Sequence, residues 1–343
     1  MSAPASSERE ITTAVDIARP DGRLSRDAIG WARHPILRCN LRPGVPRFAQ
    51  WDYWCFGSRS SALTVLVADV GYLGIVLVSF LDFAARRPVE RLYVRPGGLP
   101  IAMPATPRGD IVVDAARLHL ALRNRDDELH VECAARTLLG KRIAVELVVQ
   151  RPPAHETINV LVPWDDTRFQ LTSKQQALPA RGVVRIDARE HTFGPEHDSF
   201  ACLDYGRGRW PSRIEWSWAF ASSARGGRTL GMNLGGTWTD GTGVTENGFV
   251  IDGRVHKIAD AVDFAFDRRA FMKPWRIRTR TTSRLDLDFH PIRERAVRIP
   301  LGIAGVELHQ MMGSFHGTFV DDAGATLVIE DVVGLAEWVR GRW

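Results

Sequence analysis

The feature of this sequence that most restricts its fold is a succession of short segments in which apolar and polar side chains alternate. In residues 142–149, for example, Ile143, Val145 and Leu147 occupy every second position. Successive side chains of a strand point to opposite faces, so this pattern predicts strands with one buried face. Such segments recur about every ten residues without a strong helical period, which is typical of a sandwich or a barrel. We therefore expect an all-β protein.

The length of the chain predicts more than one domain, since 343 residues exceed the size of an average domain. Residues 1–45 are rich in proline, arginine and glycine, which predicts an extended N-terminal arm with a short helix around residues 26–33. We assign residues 46–185 to a first β-barrel and residues 186–343 to a second.

Two further patterns support and qualify this division. A strand with two tryptophans begins each half, Trp51 and Trp54 in the first and Trp216 and Trp218 in the second, which suggests two similar barrels in tandem. Between the halves, residues 151–181 show little alternation, and we expect a looser region there.

Residues 216–258 combine tryptophans, glycines and polar residues and end in a hairpin signal. Asp252-Gly253 supplies the positive φ angles of a two-residue type I′ turn. This register places Ile251 opposite Arg254 and Phe249 opposite His256. Because side chains alternate, Asn247 shares a face with Phe249. Neither face is purely apolar, so this sheet is expected to line a wet cavity or to have one solvated side.

Composition and motifs exclude several classes of function. The net charge of +5 comes mostly from arginines interspersed with acids, without the basic cluster of a nucleic-acid site. The four cysteines are far apart, which suits a reducing compartment. No signal peptide is recognised, and the apolar run 63–83 is broken by Asp69, Gly71 and Gly74, which predicts two strands, not a spanning segment. We expect a cytoplasmic protein.

No motif indicates a cofactor. The chain has no Walker A sequence, no nucleophile elbow, no H-E-x-x-H zinc motif and no complete dinucleotide fingerprint. We therefore expect neither a metal nor a nucleotide cofactor.

Several longer motifs together resemble a bacterial family known as domain of unknown function 2804. They are WDYW at 51–54, LTSKQ at 171–175, LDYGRGRWP at 203–211, WSWAF at 216–220 and NLGGTWTDGTGVTEN at 233–247. That family is similar in turn to tandem lipocalin-like proteins such as carotenoid 1,2-hydratases, AttH-type proteins and fungal Diels–Alderases. The resemblance implies two lipocalin-like (calycin) barrels and a polyene or isoprenoid ligand held between or within them. Asp204, Trp216 and Trp218 carry the likeness to that group's acidic-aromatic motif.

Two residues are candidates for acid–base chemistry. Asp204 has apolar and aromatic neighbours that could keep its carboxyl protonated, so that it acts as an acid on an alkene. The alternative is a turn-capping aspartate or a partner of Arg207 or Arg209. His309 could shuttle protons, since histidine titrates near neutral pH, or it could be a structural histidine.

Five residues are candidates for ligand contacts. Trp216 and Trp218 could stack on a polyene, or fill a core. Asn233 and Asn247 are amides that need partners from the backbone, water or a ligand. Glu246 could face a ligand, or form a cross-strand ion pair with Lys257. We expect a cavity in the second half, with His309 at its rim.

Two classes of function remain open. One is a binder of a hydrophobic small molecule in a barrel cavity; the other is a cofactor-free hydratase, isomerase or cyclase acting on such a substrate by acid catalysis. The carbohydrate-binding module is a weaker alternative. A carboxylic acid facing the cavity would distinguish the enzyme from the binder.

Overall fold

The computed structural model describes residues 8–41, 47–85, 87–301 and 304–342, and in this part of the chain the regular elements are strands apart from two single 3-10 turns, Arg26–Ala28 and Pro195–His197. The strands of the N-terminal part are β1 (Val15–Asp16), β2 (Gly30–Ala32), β3 (Leu37–Arg38), β4 (Phe48–Gly57), β5 (Ser61–Asp69), β6 (Leu73–Asp82), β7 (Val89–Pro96), β8 (Ile111–Ala115), β9 (Leu118–Arg125), β10 (Glu128–Arg136), β11 (Arg142–Gln150) and β12 (Ile158–Pro163). They are followed by β13 (Phe169–Ile186), β14 (Arg189–Phe193), β15 (Phe200–Arg209), β16 (Arg213–Arg225), β17 (Arg228–Gly236), β18 (Gly248–Ile251), β19 (Arg254–Lys257), β20 (Val262–Ala265), β21 (Trp275–Thr279), β22 (Leu285–Leu301), β23 (Ala304–Val320) and β24 (Thr326–Arg342). The all-β prediction is confirmed.

Two large sheets curl into barrels. The first has the order β7-β6-β5-β4-β15-β13-β11-β10-β9-β8, with β2, β12 and β14 attached to its side; the second has the order β19-β18-β17-β16-β24-β23-β22-β21-β20. The last strand of the first sheet ends at Arg209, and the first strand of the second sheet begins at Arg213. The chain thus changes sheets later than residue 185, and the division into domains at that point stays a prediction.

The N-terminal arm is built into both barrels. Within its described part, residues 8–41, β2 pairs with β12 of the first sheet, and the Glu8 carboxylate lies 2.8 Å from Lys257 Nζ in the second. The expected helix near residues 26–33 is a single 3-10 turn followed by β2. Residues 1–7 and 42–45 of the predicted arm lie outside the described residues.

The prediction of a looser region at residues 151–181 is wrong, because these residues contain β12 and most of β13. Strand β13 shows no alternation because both of its faces are buried: Leu171 packs in the first barrel, while Lys174 and Gln176 face the second. A strand between two cores needs no solvent-facing side chains, so the period-two signal is lost.

The same double burial explains the aromatic strand β4. Trp54 and Phe56 lie inside the first barrel, whereas Tyr53 and Cys55 contact the second through Trp218 and Phe220. Each barrel has its own apolar core, and two smaller clusters pack between the barrels. The contact between the barrels is therefore a third buried layer.

The predicted hairpin is confirmed. Phe249 pairs with His256 and Ile251 with Arg254, and Asp252 and Gly253 have φ angles of 50° and 79°. Phe249 packs inside the second barrel, while Val250, on the opposite face, packs against the first. The mixed character of the hairpin thus reflects burial on both sides.

Candidate functional site

Trp216 and Trp218 point away from the interior of the second barrel and toward the first. On β16, Ala219 belongs to the core of the second barrel, whereas Trp218 and Phe220 pack with Cys55 and Cys202 of the first. The Trp218 ring is 4.5 Å from Phe220 and 5.9 Å from Tyr53. The tryptophan strand of the second half therefore forms part of the contact between the barrels.

A cluster of five tryptophans continues this contact. Trp210 lies at its centre, with ring centroids of Trp51, Trp164, Trp216 and Trp238 between 5.3 and 6.1 Å away. Edge-to-face and stacked arrangements at such distances stabilise aromatic pairs. These rings fill the contact by packing on one another.

Beside the tryptophans, Lys174 joins the two barrels through a buried ion-pair network. Its ammonium lies 2.8 Å from the Asp204 carboxylate on β15 and 3.0 Å from the Glu246 carboxylate, which precedes β18. It also lies 4.6 Å from the Trp218 ring centroid. Asp204 therefore pairs with Lys174 and not with Arg207 or Arg209, and Glu246 pairs with Lys174 while Lys257 pairs with Glu8.

Burial and charge oppose each other in this network. Burial lowers the pKa of Lys174, but the Asp204 and Glu246 carboxylates outweigh it and raise that pKa above its usual value. Burial raises the pKa of Glu246 against the pull of Lys174, and the nearby Asp204 raises it further. One ammonium thus faces two acids in a water-poor environment, where ionising both would leave an excess negative charge.

A second buried acid, Glu337 on β24, lies close to this network. It accepts hydrogen bonds from Trp216 Nε1 at 3.0 Å and from Gln310 Nε2 at 2.9 Å. Burial raises the pKa of Glu337, although these two hydrogen bonds pull it down. Burial thus favours the protonated form of this carboxyl.

The two asparagines find their partners within the protein. Asn233 accepts from Trp218 Nε1 at 2.9 Å and donates to the Glu246 backbone carbonyl at 2.8 Å. Asn247 accepts from the Gly235 amide at 2.6 Å and donates to the Asp260 carbonyl at 3.2 Å. Both are fully buried. They order the loop that carries Glu246, and their contact with a ligand stays a prediction.

His309 lies apart from these residues. Its ring stacks on Phe271 with centroids 3.9 Å apart, its Nδ1 is 2.6 Å from Glu294, and it lines a cavity of about 480 Å³ with Arg268, Phe271 and Trp338. Trp338 belongs to the core of the second barrel, whereas its neighbour Glu337 faces the first. The structure therefore does not bring Asp204 and His309 together.

A cleft of about 620 Å³ lies between the two barrels and next to Glu337. Gln310, which donates to Glu337, lines it, and so do Cys55 and Cys202, which face each other across β4 and β15. Its large apolar wall residues are Leu81, Phe83, Phe200, Phe220, Met312 and Leu335. Five arginines also line it: Arg59, Arg87, Arg225, Arg293 and Arg295. We call this feature the inter-barrel cleft.

A larger groove, about 760 Å³, runs along the ends of β16, β22, β23 and β24. Four of its charged residues form ion pairs, since Glu307 contacts Arg298 and Arg340, and Glu215 contacts Arg268. The inter-barrel cleft has more apolar wall, and its lining residue Gln310 donates a hydrogen bond to the buried Glu337, so it is the better candidate site.

The sequence analysis missed Lys174 and Glu337 as site residues. Lys174 stands in a polar run, LTSKQQ, that an exposed loop would also show. Glu337 is separated from Trp216 by 121 positions, and only strand pairing joins them. The sequence did hold one signal that could have identified Lys174, because this lysine is part of LTSKQ, one of the motifs that carry the family resemblance.

Two further findings concern the described residues. No group of three or more histidine, cysteine, aspartate or glutamate side chains among them is arranged to hold a metal ion. None of the helices found there is long and apolar enough to cross a membrane.

Comparisons with known proteins identify a family and a crystal structure with a similar fold. The sequence model of a family described as a domain of unknown function, DUF2804, matches residues 8–343. The crystal structure of an AttH-like protein from Nitrosomonas europaea is similar, with a TM-score of 0.51 and 12% identity over 88% of this chain and 98% of that one. Kievitone hydratase from Nectria haematococca has a TM-score of 0.44 at 9% identity, over 86% of this chain and 88% of that one. For CghA the TM-score is 0.41 at 13% identity, over 90% of this chain and 94% of that one. No curated protein sequence gives a significant match.

Proposed function

The chain belongs to the family of domain of unknown function 2804, and from that premise we propose that it binds a small molecule with an apolar body in the inter-barrel cleft. The observation that carries the proposal is the cleft itself. Its volume of about 620 Å³ lies within the range of roughly 300–1,000 Å³ that small-molecule sites have. Its walls combine apolar side chains with a few polar groups, as such sites do.

The interior of the second barrel is a weaker candidate because its own side chains fill it. Phe249 stacks on Phe319 at 4.0 Å, and Phe266 stacks on Trp275 at 4.1 Å. A small barrel is either filled by its own side chains or holds one small ligand, and these stacked rings favour the first case. The space between the barrels is lined instead by outward-facing strand residues, including Phe220 of β16 and Leu335 of β24.

The ion-pair network lies behind the wall of the cleft, because Trp218, which contacts Lys174, packs on the cleft residue Phe220. Lys174, Asp204 and Glu246 tie β13 and β15 to the loop before β18, and Trp216 and Trp218 pack beside them. We assign Asp204, Glu246, Trp216, Trp218, Asn233 and Asn247 to positioning this wall. A ligand in the cleft would contact Phe220, Leu335 and Gln310 directly.

Binding can be tested with N-phenylnaphthylamine, an uncharged fluorophore that brightens in apolar sites. Replacing Ala62, a half-buried residue of the cleft wall, with tryptophan fills the space, so A62W should weaken binding at least about tenfold. The matched control is A134W at an exposed position of β10 in the same sheet. If wild type and A62W bind the fluorophore equally well, the inter-barrel cleft is not the binding site.

Glu337 supports a second candidate function, hydration of an alkene without a cofactor. A protonated Glu337 would give its proton to one alkene carbon; water would add to the resulting cation and return a proton to the carboxylate. The raised pKa of Glu337 favours this role, and its hydrogen bond with Gln310 shows that it adjoins the wall of the cleft.

This candidate predicts a product heavier by one water when the protein is incubated with geraniol or farnesol. Mass spectrometry would detect it, and E337Q should abolish it without weakening N-phenylnaphthylamine binding. The control E330Q changes an exposed glutamate of the same strand. If wild-type protein binds the fluorophore but hydrates neither alkene, the binding function stands and the hydratase function fails for these substrates.

A further inference from the structure

The inter-barrel cleft carries more positive than negative charge. Among its described lining residues there are five arginines and three carboxylates, Asp198, Glu294 and Asp331. The Asp198 carboxylate accepts from the Ala224 amide at 2.8 Å, and the Glu294 carboxylate is 2.6 Å from His309 Nδ1. Asp331 is 68% exposed. These acids therefore do little to neutralise the arginines of the cleft.

Two of the arginines are already engaged. Arg295 lies 3.1 Å from the Glu90 carboxylate, and Arg225 donates to the backbone carbonyls of Glu330 and Asp331. Arg59 and Arg87 are exposed, and no carboxylate of the described residues lies within ion-pair distance of either. They are therefore available to a ligand.

Arg293 differs from the others because part of its guanidinium is buried without a partner. Its Nη2 donates to the Ala85 carbonyl of the first barrel, while its Nη1 is buried and has no hydrogen-bond acceptor among the described residues. A buried charged donor without an acceptor carries a free-energy cost, because burial has removed its hydrogen bond to water. An acceptor arriving with a ligand would remove that cost.

We propose that the ligand of the inter-barrel cleft carries an acidic group, which Arg293 binds together with Arg59 and Arg87 while the apolar body lies against Phe220 and Leu335. This inference rests on the proposed function. Arginine suits the task because its planar N–H groups match the oxygens of a carboxylate, sulfonate or phosphate. The ligand class is thus an apolar acid, not a neutral hydrocarbon.

A pair of fluorescent probes separates the two proposals. Anilinonaphthalene sulfonate has the ring system of N-phenylnaphthylamine plus one sulfonate. Wild-type protein should bind the sulfonate at least about tenfold more tightly than the neutral probe, because a hydrogen bond between two charged groups is stronger than one between neutral groups. Added salt should weaken binding of the sulfonate alone.

The variant R293Q should remove this preference and leave the affinity for N-phenylnaphthylamine within about twofold of wild type. R278Q is the control, since Arg278 is an exposed arginine of β21 outside the cleft. The double variant R59Q/R87Q changes two exposed residues and should also reduce the preference, so the test does not depend on the folding of R293Q.

The outcomes are distinguishable. If A62W weakens binding of the neutral probe but the sulfonate binds no more tightly, the cleft is a binding site and the acidic-ligand inference is overturned. The inference also fails if R293Q weakens both probes equally, because Arg293 then has a structural role. If neither probe responds to A62W, the proposed function fails and the inference with it.

Discussion

At the scale of single residues, Lys174 joins the two barrels, because its ammonium lies against two acids that have little access to water. Lys174, Glu246 and Asp204 have side-chain exposures of 5%, 1% and 14%. Breaking a buried ion pair by removing one partner costs about 3–5 kcal/mol, because the remaining charge stays buried.

We therefore expect K174M to lower the free energy of unfolding by about 3–5 kcal/mol, measured by urea denaturation. R276M removes an arginine that also contacts two carboxylates, Asp286 and Asp288, but at 45% exposure. This control should lose about 1 kcal/mol or less. Similar losses in the two variants would contradict a special role for the buried network.

Asp52, inside the first barrel, should make stability depend on pH. Burial raises its pKa to about 7 against the attraction of Arg151 and Arg207, with Asp204 adding to the rise. In the unfolded chain the pKa of an aspartate carboxyl is about 3.9. Between about pH 4 and 7 the native state therefore holds more protons, and the free energy of unfolding falls as pH rises through this window.

The asparagine of D52N has no such proton to lose. The difference in free energy of unfolding between wild type and D52N should therefore change by a few kcal/mol between about pH 4 and 7 and then level off. Urea denaturation at a series of pH values measures it. D27N, at an exposed position of the N-terminal arm, should keep the wild-type profile. Parallel profiles for D52N and wild type would show that Asp52 does not titrate in this window.

At the scale of elements, the β18–β19 hairpin depends on its turn. Gly253 has a φ of 79°, where a side chain is strained, whereas Gly57 at the end of β4 has no positive φ and open space around it. We expect G253A to cost about 1–2 kcal/mol and G57A to be neutral or slightly stabilising. Urea denaturation compares them, and equal stabilities would mean that the turn tolerates a side chain.

Strand boundaries were largely predictable where one face of a strand is buried and the other is not. The strands expected at residues 142–149 and at the Asp252-Gly253 hairpin are present. The failure at residues 151–181 has a physical cause: β13 lies between two cores, and its polar side chains are buried by partners on another sheet. A sequence cannot show that a lysine will meet Asp204 and Glu246, which lie 30 and 72 positions away.

For the whole molecule, we expect the two barrels to unfold together. They share the ion pairs of Lys174, the tryptophan cluster and the N-terminal arm, whose Glu8 pairs with Lys257. Tryptophan fluorescence reports largely on the contact between the barrels, and far-ultraviolet circular dichroism reports on all strands. In urea the two signals should follow one transition for wild type, whereas two separated transitions would show that the barrels are independent.

The sequence by itself determined the fold class, the alternation of faces and the turn of the β18–β19 hairpin, because these depend on residues close together in the chain. Its motifs also identified the family. Only the tertiary structure decided that Trp216, Trp218, Asp204 and Glu246 lie between the barrels, that Glu337 joins them, and that His309 does not. The physical reason is that the contact combines outward faces of strands from both sheets, and a residue's neighbours across such a contact depend on how the sheets curl and pack, which no local pattern records.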